Sequence, residues 1–135
     1  MLKISKRAQY GLRAMVFLAK NYKQKKISSV KIISKKEGIP FDFLEKIISQ
    51  LEKANLVKGK KGVLGGYILS KSPKKISAND VVFILENPPA GGKKTVVDCT
   101  LCGRKTKCLT KNVWAKVNTV LNKTLQSITL ENLIK

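Results

Sequence analysis

SSVKIISKKEGIPFDFLEKIISQLEKANLVKGKKGVLGGYILS, residues 28–70, decides how this chain folds. Ser28 and Ser29 suit the cap position before a short helix that carries Val30 and Ile33 and stops near Gly38. Pro40, at a first-turn position, opens the next helix, where Leu44, Ile47, Ile48 and Leu51 recur at i, i+3, i+4 and i+7 and make one apolar face. Asp42, Lys46, Ser49 and Lys53 fall on the opposite face. Two helices joined by a glycine-containing turn, the second bearing a row of polar and basic side chains, meet the requirement for a helix-turn-helix. An ordinary helical hairpin would share that periodicity, and the following residues separate the two. Residues 56–70 read as a β-hairpin: short apolar strands flank a tip holding Lys58, Lys60 and Lys61 among Gly59, Gly62, Gly65 and Gly66. Glycines let a backbone come close to a phosphate, and the lysines supply the charge. Directly after a helix-turn-helix, such a hairpin is a wing. No helix follows the glycines at once, which excludes a dinucleotide-binding loop.

Upstream, Ile4, Ala8, Leu12, Met15 and Ala19 recur at three- and four-residue steps and predict an amphipathic helix over 4–20. Downstream of Pro73, Ser77 and Asp80 form an S-x-x-D capping box for a helix carrying Val81, Ile84 and Leu85, ended by Asn87-Pro88-Pro89. From about Leu109 a longer helix is predicted, with Trp114, Val117, Leu121, Thr124 and Ile128 spaced as a two-heptad seam. That seam either packs on the first helix or pairs with a second copy of the chain. The fold class expected is mainly α: a winged helix-turn-helix DNA-binding domain over 1–72, then a cysteine-bearing loop and a long dimerisation helix over 73–135.

The charge balance limits the partners. With 28 Lys and Arg against 8 Asp and Glu, and no His, the net charge is +20, which calls for a polyanion. Duplex DNA fits, because each neutralised phosphate releases condensed counterions; an anionic membrane surface is the competing reading. Single-stranded RNA is disfavoured by the 6% aromatic content, most of it at core spacing. No apolar run is long enough to span a bilayer and no signal-peptide pattern opens the chain, so a cytoplasmic location is expected, with no membrane partner. No general base, nucleophile partner or cofactor loop stands out, so neither an enzyme nor a small-molecule substrate is expected.

All three cysteines, Cys99, Cys102 and Cys108, lie within ten positions in VVDCTLCGRKTKCLT, residues 96–110. In a reducing compartment this spacing suits a metal or cluster, a thiol redox switch or a structural role, and does not suit a disulfide framework. Arg104, Lys105 and Lys107 would lower thiolate pKa values and offset the charge of a thiolate-bound metal.

The sequence resembles the Rrf-type winged-helix regulators, which include the iron–sulfur cluster regulator of bacteria and the nitric-oxide-sensing repressor. The resemblance covers nearly the whole chain. It is carried by ISKRAQYGLRAM (4–15), GIPFDFLEKIISQLEKANLV (38–57), KGVLGGYIL (61–69), KCLTKNVW (107–114) and SITLENLI (127–134). It implies a bacterial homodimer that binds double-stranded promoter DNA and holds an iron–sulfur cluster, 2Fe-2S favoured over 4Fe-4S, on Cys99, Cys102 and Cys108. Zinc is second, since structural zinc prefers four protein ligands. The family's further ligand positions fall on Lys111 and Gln9, which depart from the histidine and aspartate found there in other members. The resemblance places base reading on Pro40, Phe41, Asp42, Glu45, Lys46 and Ser49, and minor-groove contact on Lys61. Ser28, Ser29, Lys58, Lys60 and Tyr67 complete the expected DNA-binding set, and Trp114, Val117, Leu121, Thr124 and Ile128 the dimerisation set. Glu45 is singled out because a carboxylate facing DNA discriminates by accepting from cytosine N4.

Overall fold

The computed structural model describes residues 4–63, 65–86 and 110–135. The helices are α1 (Lys6–Tyr22), α2 (Val30–Glu37), α3 (Phe41–Lys53), α4 (Ala78–Glu86), α5 (Lys111–Ser127) and α6 (Leu130–Ile134). Strands β1 (Val57–Lys60) and β2 (Gly66–Leu69) pair antiparallel between α3 and α4, with Val57 opposite Leu69 and Lys60 opposite Gly66. A 3-10 turn, Pro73–Lys75, leads into α4. The fold is therefore mainly α with a two-stranded wing, as the sequence predicts.

Local chemistry sets the helix ends. Ser29 caps α2, its hydroxyl accepting from Ile32 N at 3.2 Å. Gly38 ends α2 at φ 64°, a left-handed conformation that favours glycine. Pro40 stands one position before α3, as its N-cap residue, and its carbonyl accepts from Leu44 N at 2.9 Å. Ser77 and Asp80 form the expected capping box of α4, with reciprocal bonds of 2.9 and 3.1 Å.

The apolar face of α3 is fully buried at Leu44, Ile47, Ile48 and Leu51. These residues join Met15 and Leu18 of α1, Ile33 of α2, Leu56, Val57 and Leu69 at the base of the wing, Val81 and Leu85 of α4, and Leu130 of α6 in one core cluster. Burial of each such side chain stabilises the fold by about 1.5–3 kcal/mol relative to exposure. Gly11 lets α4 and α3 pack closely on α1: a Cβ there would lie 2.1 Å from Leu85 Cδ1 and 3.3 Å from Ile47 Cγ2.

Two expectations are corrected here. The long helix does not carry its seam through Ile128; it ends at Ser127, and Ile128 takes an extended conformation. Thr129 captures the chain by a capping box with Asn132, starting α6, while the Ile128 carbonyl accepts from Ala78 N at 2.7 Å. Ser28, expected at the DNA face, is 2% exposed. Its N–H donates to Tyr67 O at 3.1 Å and its carbonyl accepts from Tyr67 N at 2.8 Å, so it serves as a one-residue third strand on the wing.

That third strand explains Gly66. A Cβ at Gly66 would lie 2.5 Å from both the carbonyl carbon and oxygen of Ser28 and 2.7 Å from Ser29 N, all backbone atoms that cannot swing aside. Gly66→Ala is expected to destabilise the protein by about 1–3 kcal/mol, the usual range for overpacking. Its DNA affinity should fall because the wing separates from Ser28. Denaturant unfolding of both proteins checks this: equal midpoints would show that the wing accommodates the methyl group.

Candidate nucleic-acid interface

The burial pattern of α3 leaves Phe41, Asp42, Glu45, Lys46, Ser49 and Lys53 exposed on one side of a helix whose other side is core. Asp42, Glu45, Lys46, Ser49, Gln50 and Lys53 line an open groove along that side. Gln50 also holds the helix in place, its Nε2 donating to Ile84 O of α4 at 3.0 Å. Asp42 stands in the first turn of α3, the favourable end of the helix dipole for a carboxylate.

The wing is fixed to this helix. Glu52, one turn after Ser49, accepts from Gly59 N of β1 at 3.0 Å. Tyr67 of β2 is half-buried, and its phenol pKa is pushed above the ordinary value, first by burial and then by the charges of Glu52 and Glu45. The phenol therefore stays protonated at physiological pH and retains a donor near two carboxylates of α3. In β1, Val57 is buried while Lys58, Gly59 and Lys60 are all exposed. The usual alternation stops where the ribbon leaves the body, so both of its faces are open to a groove. Lys61 is exposed beyond it, and Gly62 turns the chain at φ 122°. Ser29 is half-buried at the start of α2, its hydroxyl engaged in capping.

Of the expected DNA-binding residues, the structure thus brings Phe41, Asp42, Glu45, Lys46 and Ser49 onto one exposed helix face, with Pro40 exposed just before it. Lys58, Lys60 and Lys61 lie on the adjoining wing, and Tyr67 on its second strand opposite Gly59. Glu52, absent from the expected set, joins the helix to the wing. Its signal in the sequence was weak: a carboxylate seven positions before a glycine has no characteristic spacing.

Cys99, Cys102 and Cys108 lie outside the described residues, as does the side chain of Lys111. Among the described residues, no group of three His, Cys, Asp or Glu side chains could hold a metal ion. Gln9 is exposed, its Nε2 donating to Ile4 O at 3.0 Å.

Of the seam, Trp114 and Thr124 are exposed and Val117, Leu121 and Ile128 half-buried; Thr124 Oγ1 donates to Val120 O at 2.9 Å. None of the α5 side chains described is buried, although the helix lies against α4. Val113, Trp114 and Val120 are exposed by 52, 39 and 62%. Among the described residues, no helix is long and apolar enough to cross a membrane.

Residues 4–135 match a family model, Rrf2, described as an iron-dependent transcriptional regulator. The chain is 30% identical over 138 residues to the protein rrf2 of Nitratidesulfovibrio vulgaris, with 99% of this chain and 88% of that protein aligned. The solved structure of the T. potens IscR is 35% identical, with a TM-score of 0.77, covering 98% of this chain and 86% of that one. The structure of CymR, the global cysteine regulator of B. subtilis, is 32% identical with a TM-score of 0.79, covering 99% and 97%.

Proposed function

Since the chain belongs to the Rrf2 family of transcriptional regulators, we propose that this DNA-binding protein acts on promoter DNA as a homodimer whose affinity is set by an iron–sulfur cluster on Cys99, Cys102 and Cys108. It is a regulator and not an enzyme. The observation that carries the DNA-binding mode is the clamp of the wing to α3 by Glu52 and Gly59, beside an exposed helix face of Asp42, Glu45, Lys46 and Ser49. A helix entering the major groove from that face would bring Lys58, Lys60 and Lys61 to the flanking backbone or minor groove.

Division of labour follows from chemistry. Lys46 and Lys61 supply charge for phosphates without the planar fork by which arginine reads bases. Glu45 supplies discrimination, because a carboxylate is tolerated against DNA where cytosine N4 donates to it. Lys46→Ala and Lys61→Ala should therefore each weaken binding to all duplexes and lower the salt slope by about one unit, one counterion per lost contact. Glu45→Ala should relax discrimination between sites while leaving or raising nonspecific affinity. Fluorescence anisotropy against a selected duplex and a scrambled one, at several salt concentrations, checks all three. A uniform loss across both duplexes for Glu45→Ala would remove its reading role.

For the cofactor, the donor set is the test. Three soft thiolates within ten positions suit iron–sulfur ligation, and the described residues offer no competing metal site. A cluster, when bound, supplies reactivity toward redox change or nitric oxide. The chain's own share is the three sulfurs, the nearby Arg104, Lys105 and Lys107 that offset negative charge, and a fourth ligand of another chemical type. A thiol redox switch on the same cysteines is the second reading, favoured by the lack of a fourth cysteine or any histidine. Anaerobic purification with iron and sulfide analysis separates the two.

A further inference from the structure

The wing is gripped at one row from both edges. Tyr67 of β2 stands opposite Gly59 of β1. Both backbone groups of Tyr67 are spent on Ser28, its N–H donating to Ser28 O at 2.8 Å and its carbonyl accepting from Ser28 N at 3.1 Å. Gly59 therefore points its N–H to the outer edge of β1, as alternate residues of an antiparallel pair do. An open strand edge leaves such groups to water or to another strand. Here the Glu52 carboxylate of α3 takes the place of a strand, accepting from Gly59 N at 3.0 Å. Gly59 has room for it because it has no side chain: a Cβ there would lie 2.7 Å from Glu52 Oε2 and 3.2 Å from Tyr67 Cε1.

This bond reaches further out along the wing than the core does. Val57 and Leu69 pair at the root and are buried, whereas Lys58, Gly59 and Lys60 are exposed. Beyond Val57, one hydrogen bond among the described residues joins β1 to α3, that of Glu52 with Gly59. The pair of Lys60 with Gly66 and then Lys61 lie further out still. Glu52 is exposed and stands two helical turns after Glu45, so both carboxylates lie along one side of α3. The Tyr67 phenol, its pKa raised by burial and then by Glu52 and Glu45, lies in the field of both. Negative charge on this side opposes the attraction to phosphates, so what Glu52 contributes to a DNA-binding surface is geometric.

We infer that Glu52 is a positioning residue of the DNA interface: by holding Gly59 it fixes Lys60 and Lys61 relative to the exposed face of α3, so that helix and wing engage one duplex as a rigid unit. The inference rests on the helix-and-wing reading above. Contacts held in place before binding add affinity because no ordering cost falls due when the duplex arrives. Three substitutions separate the bond from the charge. Glu52→Ala removes both. Glu52→Gln removes the charge and keeps an oxygen that accepts from Gly59 N. Gly59→Ala keeps the charge and breaks the bond, since its methyl group takes the place of the Glu52 oxygen.

The test is a double-mutant cycle with Lys61→Ala, read by anisotropy on a duplex selected from a random pool by the wild-type protein, with every chain full length and purified anaerobically. In wild type and in Glu52→Gln, Lys61→Ala should weaken binding by the same factor. In Glu52→Ala and Gly59→Ala that factor should be smaller by at least about twofold, the lower end of coupling within one network. Lys46→Ala, on the helix, should cost all four proteins alike. Solvent exchange of the residue-59 amide, measured by NMR without DNA, is the second arm: it should be faster in Glu52→Ala and Gly59→Ala than in wild type and Glu52→Gln. An unchanged Lys61→Ala factor in either Glu52→Ala or Gly59→Ala overturns the inference, and so does residue-59 exchange that Glu52→Ala leaves unmoved. A factor lowered equally in Glu52→Gln assigns the effect to charge, and a Lys46→Ala factor that falls in parallel assigns it to loss of the whole interface; either result also overturns it. If Lys61→Ala costs the wild-type protein nothing, the wing reading itself fails and the inference falls with it.

Discussion

Val120→Lys is expected to turn a dimer into a folded monomer. Val120 is 62% exposed in the single chain and belongs to a stripe with Val113, Trp114 and Val117 along α5, a helix none of whose described side chains is buried. A 17-residue helix with no fully buried side chain among those described gains only part of its stability from its own domain, since most helical stability in proteins comes from packing an apolar face. A second copy related by two-fold symmetry would cover the same stripe on both chains. Lysine at that seam buries an unpaired charge twice per dimer, and truncation or mismatch of a buried charge costs roughly 3–5 kcal/mol. At about 1.4 kcal/mol per tenfold, even one such loss weakens association by about two to three and a half orders of magnitude. In the monomer the same lysine stays in water and costs almost nothing. Leu121, equally marked by the heptad spacing, is half-buried within its own chain, so a charge there would disturb the fold as well as the pairing. Light scattering should give a dimer for wild type and a monomer for Val120→Lys that still unfolds cooperatively, at a thermal midpoint lowered by the lost association. Operator binding should fall by about 100-fold or more as two-site avidity is lost. A wild-type monomer at concentrations that bind a two-fold operator would sink the assignment.

How much of this was legible depended on whether the determining contacts were local. The helix-turn-helix could be read because its signals sit within one turn: the Ser29 cap, the αL glycine at 38, and the apolar steps at 44, 47, 48 and 51 that prove fully buried. The wing could be read from its glycines and lysines, but its third strand could not. Ser28 pairs with Tyr67 through a single bridge, which has no periodicity to detect, and a serine before a helix looks first like a cap. The end of the seam was misread for a related reason. Ile128 continues the heptad spacing, yet Thr129 and Asn132 form a capping box, and a T-x-x-N pattern there would have moved the boundary. The Ser5 to Glu86 bond and the Gly11 notch join distant parts of the chain, and no spacing rule reaches across them.

Cys108→Ala is expected to abolish the cluster. Three thiolates leave one coordination position to a ligand of another kind, because the chain has no fourth cysteine and no histidine. Losing a further thiolate leaves two, and Cys99 with Cys102 can grip a single iron but not the second iron of a cluster. Protein purified anaerobically should be coloured and carry iron and sulfide, and the Cys99→Ala, Cys102→Ala and Cys108→Ala variants should each be colourless. Zinc in place of iron, with no sulfide, would convert the site to a structural one. If the metal controls DNA binding, stripped wild-type protein and Cys108→Ala should share one operator affinity, displaced from that of the loaded protein by about 5- to 150-fold, the ordinary scale of coupling between two sites. The shared value matters most. Should stripping shift the affinity while Cys108→Ala keeps the loaded value, the cysteine would not be a ligand, and the thiol redox reading would fall with it if oxidant also leaves that variant unmoved.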